Sequence, residues 1–85
     1  MSVADALREF ISRELPSGRR PEELTDDFPL IRERVIDSLG IFQVVAFLEG
    51  EFGVEIGDDE VVLENFESIA ALVEFVESKQ GPGTQ

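Results

Sequence analysis

Segments with apolar residues at helical spacing limit the fold of this chain more than any other feature. One runs from Val3 to near Leu15, a second from about Ser38 to Phe52, and a third occupies the last part of the chain. Residues three and four apart share one face of an α-helix, so each segment predicts an amphipathic helix with one buried side. Nothing alternates with period two for long enough to form a strand beyond the tripeptide at 54–56. The pattern therefore predicts an all-α protein.

Capping residues indicate where these helices begin and end. Ser2 followed by Asp5 is typical of a capping box, and Pro16 predicts the end of the first helix just before it. Gly53 is placed to stop the second helix, and Asn65 is the candidate cap of the last one. A short additional helix is predicted around Glu60–Leu63.

The first two helices are separated by a long connection, from Pro16 to about Ile36, that contains three prolines and no sustained period. Its apolar residues favour a loop folded across the helices: Leu24, Phe28, Leu30 and Ile31. We therefore expect a small antiparallel four-helix bundle, with three main helices, a short third helix and this long loop between helices 1 and 2. The domain is expected to span 1–79, with a disordered tail at 80–85.

Length and charge exclude several classes of function. With 85 residues the chain forms one domain that is too small to enclose a deep catalytic cavity. Its net charge of -12 would repel nucleic acid and anionic membrane surfaces, whereas a basic protein surface would attract it. The alternative is that the charge only keeps the protein in solution. We expect no membrane partner and a cytoplasmic location, because neither a spanning apolar run nor a secretion signal is visible. The absence of cysteine and histidine argues against a disulfide framework or a metal site of the usual zinc type.

Ser38 is the candidate residue for chemistry, at the predicted start of the second helix. A serine nucleophile needs a neighbouring base, which is usually histidine, and the chain has no histidine. Its one lysine, Lys79, lies at the far end of the last helix, so we expect no enzyme activity. Ser38 is then either a helix cap, a role that Asp37 offers as well, or a site that another enzyme modifies.

An apolar patch beside Ser38 bears on that choice. The core stripe of the second helix is predicted to contain Ile41, Val44, Val45, Leu48 and Phe52. Leu39, Phe42 and Ala46 face elsewhere, and a docking surface needs such a patch whereas a cap does not. The free amides and positive dipole end of the helix also suit a phosphodiester attached to the Ser38 hydroxyl.

The segment IDSLGIFQVVAFLEGEFGVEI, with the later segment LENFESIAALVEFV, resembles the sequences of acyl carrier proteins and peptidyl carrier proteins. The resemblance extends from the first helix to about Ser78. It implies a four-helix bundle in which Ser38 carries a phosphopantetheine arm, taken from coenzyme A by a separate magnesium-dependent phosphopantetheinyl transferase. It also implies that partners bind the helix after the serine, and the residues expected to contact them are Asp37, Leu39, Phe42, Ala46 and Glu49.

The resemblance implies a monomeric, discrete carrier that holds acyl or aminoacyl intermediates as thioesters and presents them to a loading enzyme and downstream synthases. Gly40, Gln43 and Gly50 occupy positions where carriers of fatty acid synthesis often have acids. We therefore favour polyketide or nonribosomal peptide biosynthesis, with fatty acid synthesis as the alternative. A small acidic interaction module without a prosthetic group, in which Ser38 only caps, is the alternative from another class.

Two charged groups leave alternatives open. The acids at 58–60 could attract a divalent cation, but their spacing is not that of an EF-hand, and we expect them to form a solvated cap of the short helix. Most of the basic charge lies in the long loop. It either pairs with nearby acids or lies beside the phosphate of the arm: Arg19, Arg20, Arg32 and Arg34.

Overall fold

A computed structural model describes residues 2–15 and 18–80, which form four α-helices joined by turns. The helices are α1 (Val3–Glu14), α2 (Ser38–Phe52), α3 (Leu63–Phe66) and α4 (Ile69–Gln80), with 3₁₀ turns at Pro21–Glu23 and Asp58–Glu60. These described residues contain no strand, including at 54–56, so the predicted all-α fold is confirmed. No helix in the described ranges combines the length and the apolar character that crossing a bilayer requires.

The start and end of α1 agree with the prediction. Ser2 Oγ accepts a hydrogen bond from the Asp5 amide at 3.1 Å, which satisfies one of the amides left free at a helix start. The Asp5 carboxylate pairs with Arg8 and so does not complete a capping box. Leu15 takes an extended conformation and ends the helix. Leu7 and other buried residues of α1 pack toward α4.

One hydrophobic core joins the helices to the long loop. Its fully buried side chains are Leu7, Ile11, Leu24, Leu30, Ile36, Val44, Leu48, Phe66, Ile69, Leu72 and Val76. Leu24 and Leu30 belong to the loop, which confirms that the loop folds across the helices. Phe10 of α1 stacks on Phe47 of α2 with ring centroids 4.2 Å apart, a contact that links these two helices.

Backbone hydrogen bonds also fix the loop to the start of α4. The Leu30 amide donates to the Glu67 carbonyl at 2.8 Å, and the Ala70 amide donates to the Asp26 carbonyl at 2.9 Å. A side-chain bond joins the loop to α1, because Arg8 Nε donates to the Leu24 carbonyl at 2.7 Å. Since these bonds join residues far apart in sequence, the loop holds a defined path between α1 and α2.

The short helix and the last helix begin later than predicted. α3 lies at Leu63–Phe66. In the predicted Glu60–Leu63 segment only Leu63 is α-helical, and Glu60 is the last residue of a 3₁₀ turn. Asn65 does not cap the last helix: it lies within α3, and its side-chain amide donates to the Glu60 carbonyl at 2.9 Å. Ser68 is the cap, and its hydroxyl accepts from the Ala71 amide at 3.1 Å.

The break between α3 and α4 has a long-range cause. A continuous helix would need the Glu67 carbonyl to accept from residue 71 and the Ala70 amide to donate to residue 66. Both groups instead bond to the loop, through Leu30 and Asp26. At its other end α4 includes Gln80, the first residue of the predicted tail; the rest of that tail, 81–85, lies outside the described residues.

Candidate functional site

Asp37 caps α2, and Ser38 is the first residue of the helix. Asp37 is extended, and its Oδ1 accepts a hydrogen bond from the Gly40 amide at 2.7 Å. Its carbonyl accepts from the Ile41 amide at 2.9 Å. Of the two oxygens that the sequence offers for capping, the helix therefore uses the carboxylate.

The Ser38 side chain is exposed and makes no hydrogen bond to a described residue. No hydrogen bond joins the Ser38 hydroxyl to the neighbouring carboxylate of Asp37, whose Oδ1 accepts from the Gly40 amide. The site therefore presents an accessible oxygen without the group that would activate it.

Gly40 lets the cap and the helix approach each other closely. The residue is buried, and a Cβ built on it would lie 3.2 Å from Asp37 Oδ1. The same Cβ would lie 3.6 Å from side-chain atoms of Ile36 and Leu15. The absent side chain thus leaves room for the capping carboxylate.

Ser38 borders a cavity of about 410 Å³ between the 31–36 segment, the start of α2 and the start of α3. One part of its lining is apolar: Ile31, Ile36, Ile41 and Leu63. The polar part contains Arg32, Arg34 and Asp37. Leu63 is 61% exposed and was not among the predicted site residues, because the apolar run at 61–63 continues no helical stripe.

The four loop arginines divide into two pairs. Arg19 lies 3.7 Å from a Glu33 oxygen, and its guanidinium sits 4.8 Å from the centre of the Phe28 ring. Arg20 pairs with Glu22 at 3.3 Å. The predicted pairing with nearby acids is therefore confirmed for Arg19 and Arg20. The other two make no ion pair with any described residue: Arg32 and Arg34.

The residues expected to contact partners are accessible along α2. Leu39 is 69% exposed and Phe42 is 65% exposed, and Ala46 is exposed one turn further on. Helical spacing places Glu49 on the same face. Its Oε2 also accepts from the Ile56 amide at 3.0 Å, so Glu49 holds the segment that follows the helix. The fifth residue of the predicted set is the cap described above.

Of the acids at 58–60, Glu60 is bound within the fold. Both carboxylate oxygens of Glu60 accept from Lys79 Nζ, at 2.7 and 2.8 Å, and Oε1 also accepts from the Gly57 amide. The Lys79 hydrogen bond, followed by that of the Gly57 amide, lowers the pKa of Glu60 below its usual value. In the part of the chain that the structure covers, no group of three acids is arranged to hold a metal ion.

Known proteins resemble this chain over most of its length. A family described as "Phosphopantetheine attachment site" matches residues 5–76. The acyl carrier protein of Solidesulfovibrio magneticus is 31% identical over 81 residues, which cover 95% of this chain and 99% of that protein. The acyl carrier protein of Wolinella succinogenes is 26% identical over 80 residues, covering 94% and 100%. A chain in a solved structure, "Crystal structure of FAD-dependent dehydrogenase", superposes with a TM-score of 0.70 at 29% identity, covering 80% of this chain and 94% of that one.

Proposed function

The chain belongs to the acyl carrier protein family, and from this premise we propose that it is a discrete carrier whose phosphopantetheine arm is attached to Ser38. The family assignment gives the covalent cofactor but not the residue that bears it. One observation supports the residue: Ser38 is exposed and its hydroxyl is free, because Asp37 supplies the cap. A hydroxyl engaged as the cap would have to leave the backbone amide before it could be modified.

The attachment reaction explains why the chain needs no catalytic group of its own. The Ser38 oxygen forms a bond to phosphorus, the phosphate–phosphate bond of coenzyme A breaks, and adenosine 3′,5′-bisphosphate leaves. A base on the transferase takes the hydroxyl proton, and its magnesium ion offsets the developing negative charge. The arm then supplies the thiol that this cysteine-free chain lacks, and that thiol holds acyl groups as thioesters. On this proposal the chain is a substrate and a carrier, not an enzyme.

Partner enzymes would bind the exposed face of α2. Leu39 and Phe42 offer large apolar side chains beside Ser38, and aromatic residues are common among the strongest contacts of protein interfaces. The net charge of -12 would draw a basic partner surface toward the carrier and raise the association rate at low salt. We assign the transferase, a loading enzyme and downstream synthases to this face.

The pathway is the finer part of the proposal. The exposed Phe42 favours partners with an apolar recess, and Gln43 and Gly50 stand at positions of α2 where carriers of fatty acid synthesis often have acids. These features support polyketide or nonribosomal peptide biosynthesis, with fatty acid synthesis as the alternative. A monomeric carrier domain at 1–79 and a cytoplasmic location complete the proposal.

The experiment is intact-mass measurement after incubation with coenzyme A, magnesium and a phosphopantetheinyl transferase of broad specificity. The wild-type chain should gain the mass of one arm, and Ser38→Ala should gain nothing. Ser78→Ala is the matched control, because it removes another exposed serine, on α4, and should load fully. An unchanged wild-type mass would favour the alternative of an interaction module without a prosthetic group. A gain that persists in Ser38→Ala would move the attachment to another residue.

A further inference from the structure

We propose that Arg32 and Arg34 bind the phosphodiester of the arm and hold it against the cavity beside Ser38. The inference rests on the proposed attachment at Ser38 and extends it from a point of attachment to a binding site. It concerns the stretch of the arm next to the protein, not the thiol end.

The distribution of ion pairs supports this proposal. Among the described residues, five cationic side chains lie within 4 Å of a carboxylate oxygen: Arg8, Arg13, Arg19, Arg20 and Lys79. The chain has seven basic residues and 19 acidic ones, so acidic partners are plentiful. The two guanidinium groups without such a partner, Arg32 and Arg34, both line the cavity that Ser38 borders. The fold therefore leaves its unpaired positive charge at the place where the arm would begin.

The backbone conformation of Arg34 also supports a role for its side chain. Arg34 has a φ of 61°, in the left-handed region that glycine adopts readily and that residues with a Cβ disfavour. The turn is fixed by bonds from the amides of Val35 and Ile36 to the Leu30 carbonyl, at 2.9 and 3.1 Å, and both donors are buried. Glycine would fit this conformation with less strain. An arginine there has a use that the turn itself does not require.

The chemistry of the cavity matches the first part of the arm. A guanidinium presents planar N–H donors that bind phosphate oxygens in pairs. A phosphodiester on Ser38 would place a second negative charge next to the Asp37 carboxylate, and two guanidinium groups offset that repulsion. The carbon chain that follows the phosphate carries two methyl groups, for which Ile41 and Leu63 offer an apolar wall.

The test compares apo protein with holo protein prepared by the transferase reaction, with complete loading verified by intact mass. In the wild-type chain, the Nε–H resonances of Arg32 and Arg34 should shift on loading. That of Arg13, which pairs with the adjacent Glu14 on α1, should not. The ³¹P resonance of the folded holo protein should also differ from that of a proteolytic peptide carrying the modified serine. Raising the salt from about 0.1 M to about 1 M shortens the Debye length from about 10 Å to about 3 Å and should reduce that difference.

Variants then separate the guanidinium groups from the turn. In the double variant Arg32→Gln with Arg34→Gln, the ³¹P resonance should move to the value of the peptide, whereas Arg13→Gln should leave it at the wild-type position. Arg34→Gly removes one guanidinium but suits the left-handed turn, so it should shift the resonance part of the way without unfolding the segment.

Two outcomes would overturn the inference while leaving the attachment intact. One is a fully loaded wild-type chain whose arginine resonances match those of the apo protein and whose ³¹P resonance matches that of the peptide. The other is a set of arginine resonances that move only when a partner enzyme is added, which would assign the two arginines to acids of the partner. Failure of the wild-type mass to increase would instead contradict the attachment itself, and the mass measurement distinguishes the two cases.

Discussion

Removing the Asp37 side chain should destabilise the protein, whereas removing the Ser38 hydroxyl should not. Asp37→Ala eliminates the 2.7 Å bond from the Gly40 amide and leaves that amide without its cap. Replacing a cap of this type by alanine costs about 1 kcal/mol, within a range of about 0.5–2 kcal/mol. For a domain of this size, a loss of about 1 kcal/mol lowers Tm by about 4–8 °C.

Ser38→Ala removes an exposed hydroxyl that has no hydrogen-bond partner among the described residues. The free energy of unfolding should therefore stay within about 0.5 kcal/mol of the wild-type value. The same substitution should abolish loading, which separates the proposed function of the hydroxyl from any structural role.

Urea denaturation of the apo proteins measures both effects, provided that the m-values agree. Asp37→Asn is the matched control, because it keeps an oxygen acceptor at the cap and removes one negative charge from a chain of net charge -12. It should lose much less stability than Asp37→Ala. The assignment of the cap would be refuted by a Ser38→Ala variant as unstable as Asp37→Ala. A loss of equal size in Asp37→Asn would show that charge, not hydrogen bonding, is responsible.

Three further predictions concern other parts of the molecule. Gly50→Ala should raise the free energy of unfolding by about 0.5–1 kcal/mol, because a Cβ there meets no atom within 4 Å. Gly40→Ala should gain less or lose stability, since its Cβ would lie 3.2 Å from the capping carboxylate; equal gains in urea denaturation would contradict this. Lys79→Met should raise the pKa of Glu60, which the Lys79 hydrogen bond holds below its usual value, as followed by ¹³C NMR of the carboxyl group. A carboxylate with a lowered folded pKa contributes stability above its unfolded pKa and loses it as the pH falls through the folded pKa, so the variant should lose less stability than wild type on acidification through that range. Phe42→Ala should leave stability within about 0.5 kcal/mol but weaken transferase binding, measured by calorimetry, because this side chain is 65% exposed.

Local sequence predicts the ends of α1 and α2 because local groups determine them. Ser2 caps α1 through an amide three residues away, and Gly53 adopts the left-handed conformation that ends α2. The start of α4 is different. Asn65 and Ser68 can both cap a helix, and the choice between them follows from loop contacts far away in sequence, such as the bond from Leu30 to Glu67. Periodicity contains no information about such bonds.

The candidate site shows the same limit. The sequence singles out Ser38 and the exposed apolar residues of α2, since a serine without a base and an apolar stripe outside the core are both visible in one dimension. It leaves the cap undecided, because Asp37 and Ser38 both have suitable oxygens. The cavity brings together the 31–36 segment, α2 and Leu63 of α3, and only the tertiary fold determines that combination.

The separation of the cap from the free hydroxyl has a consequence for a carrier that must exist with and without its arm. If Ser38 capped α2, a phosphodiester on its oxygen would alter the group that starts the helix, and the surface that partners bind would change on loading. Because Asp37 accepts the Gly40 amide, an arm on Ser38 leaves the hydrogen bonds at the start of α2 in place. The disadvantage is electrostatic, since the arm would add a negative charge beside the carboxylate that caps the helix. On our proposal, the guanidinium groups of the two arginines at the same cavity would offset that charge, so that one helix start could serve both forms of the protein.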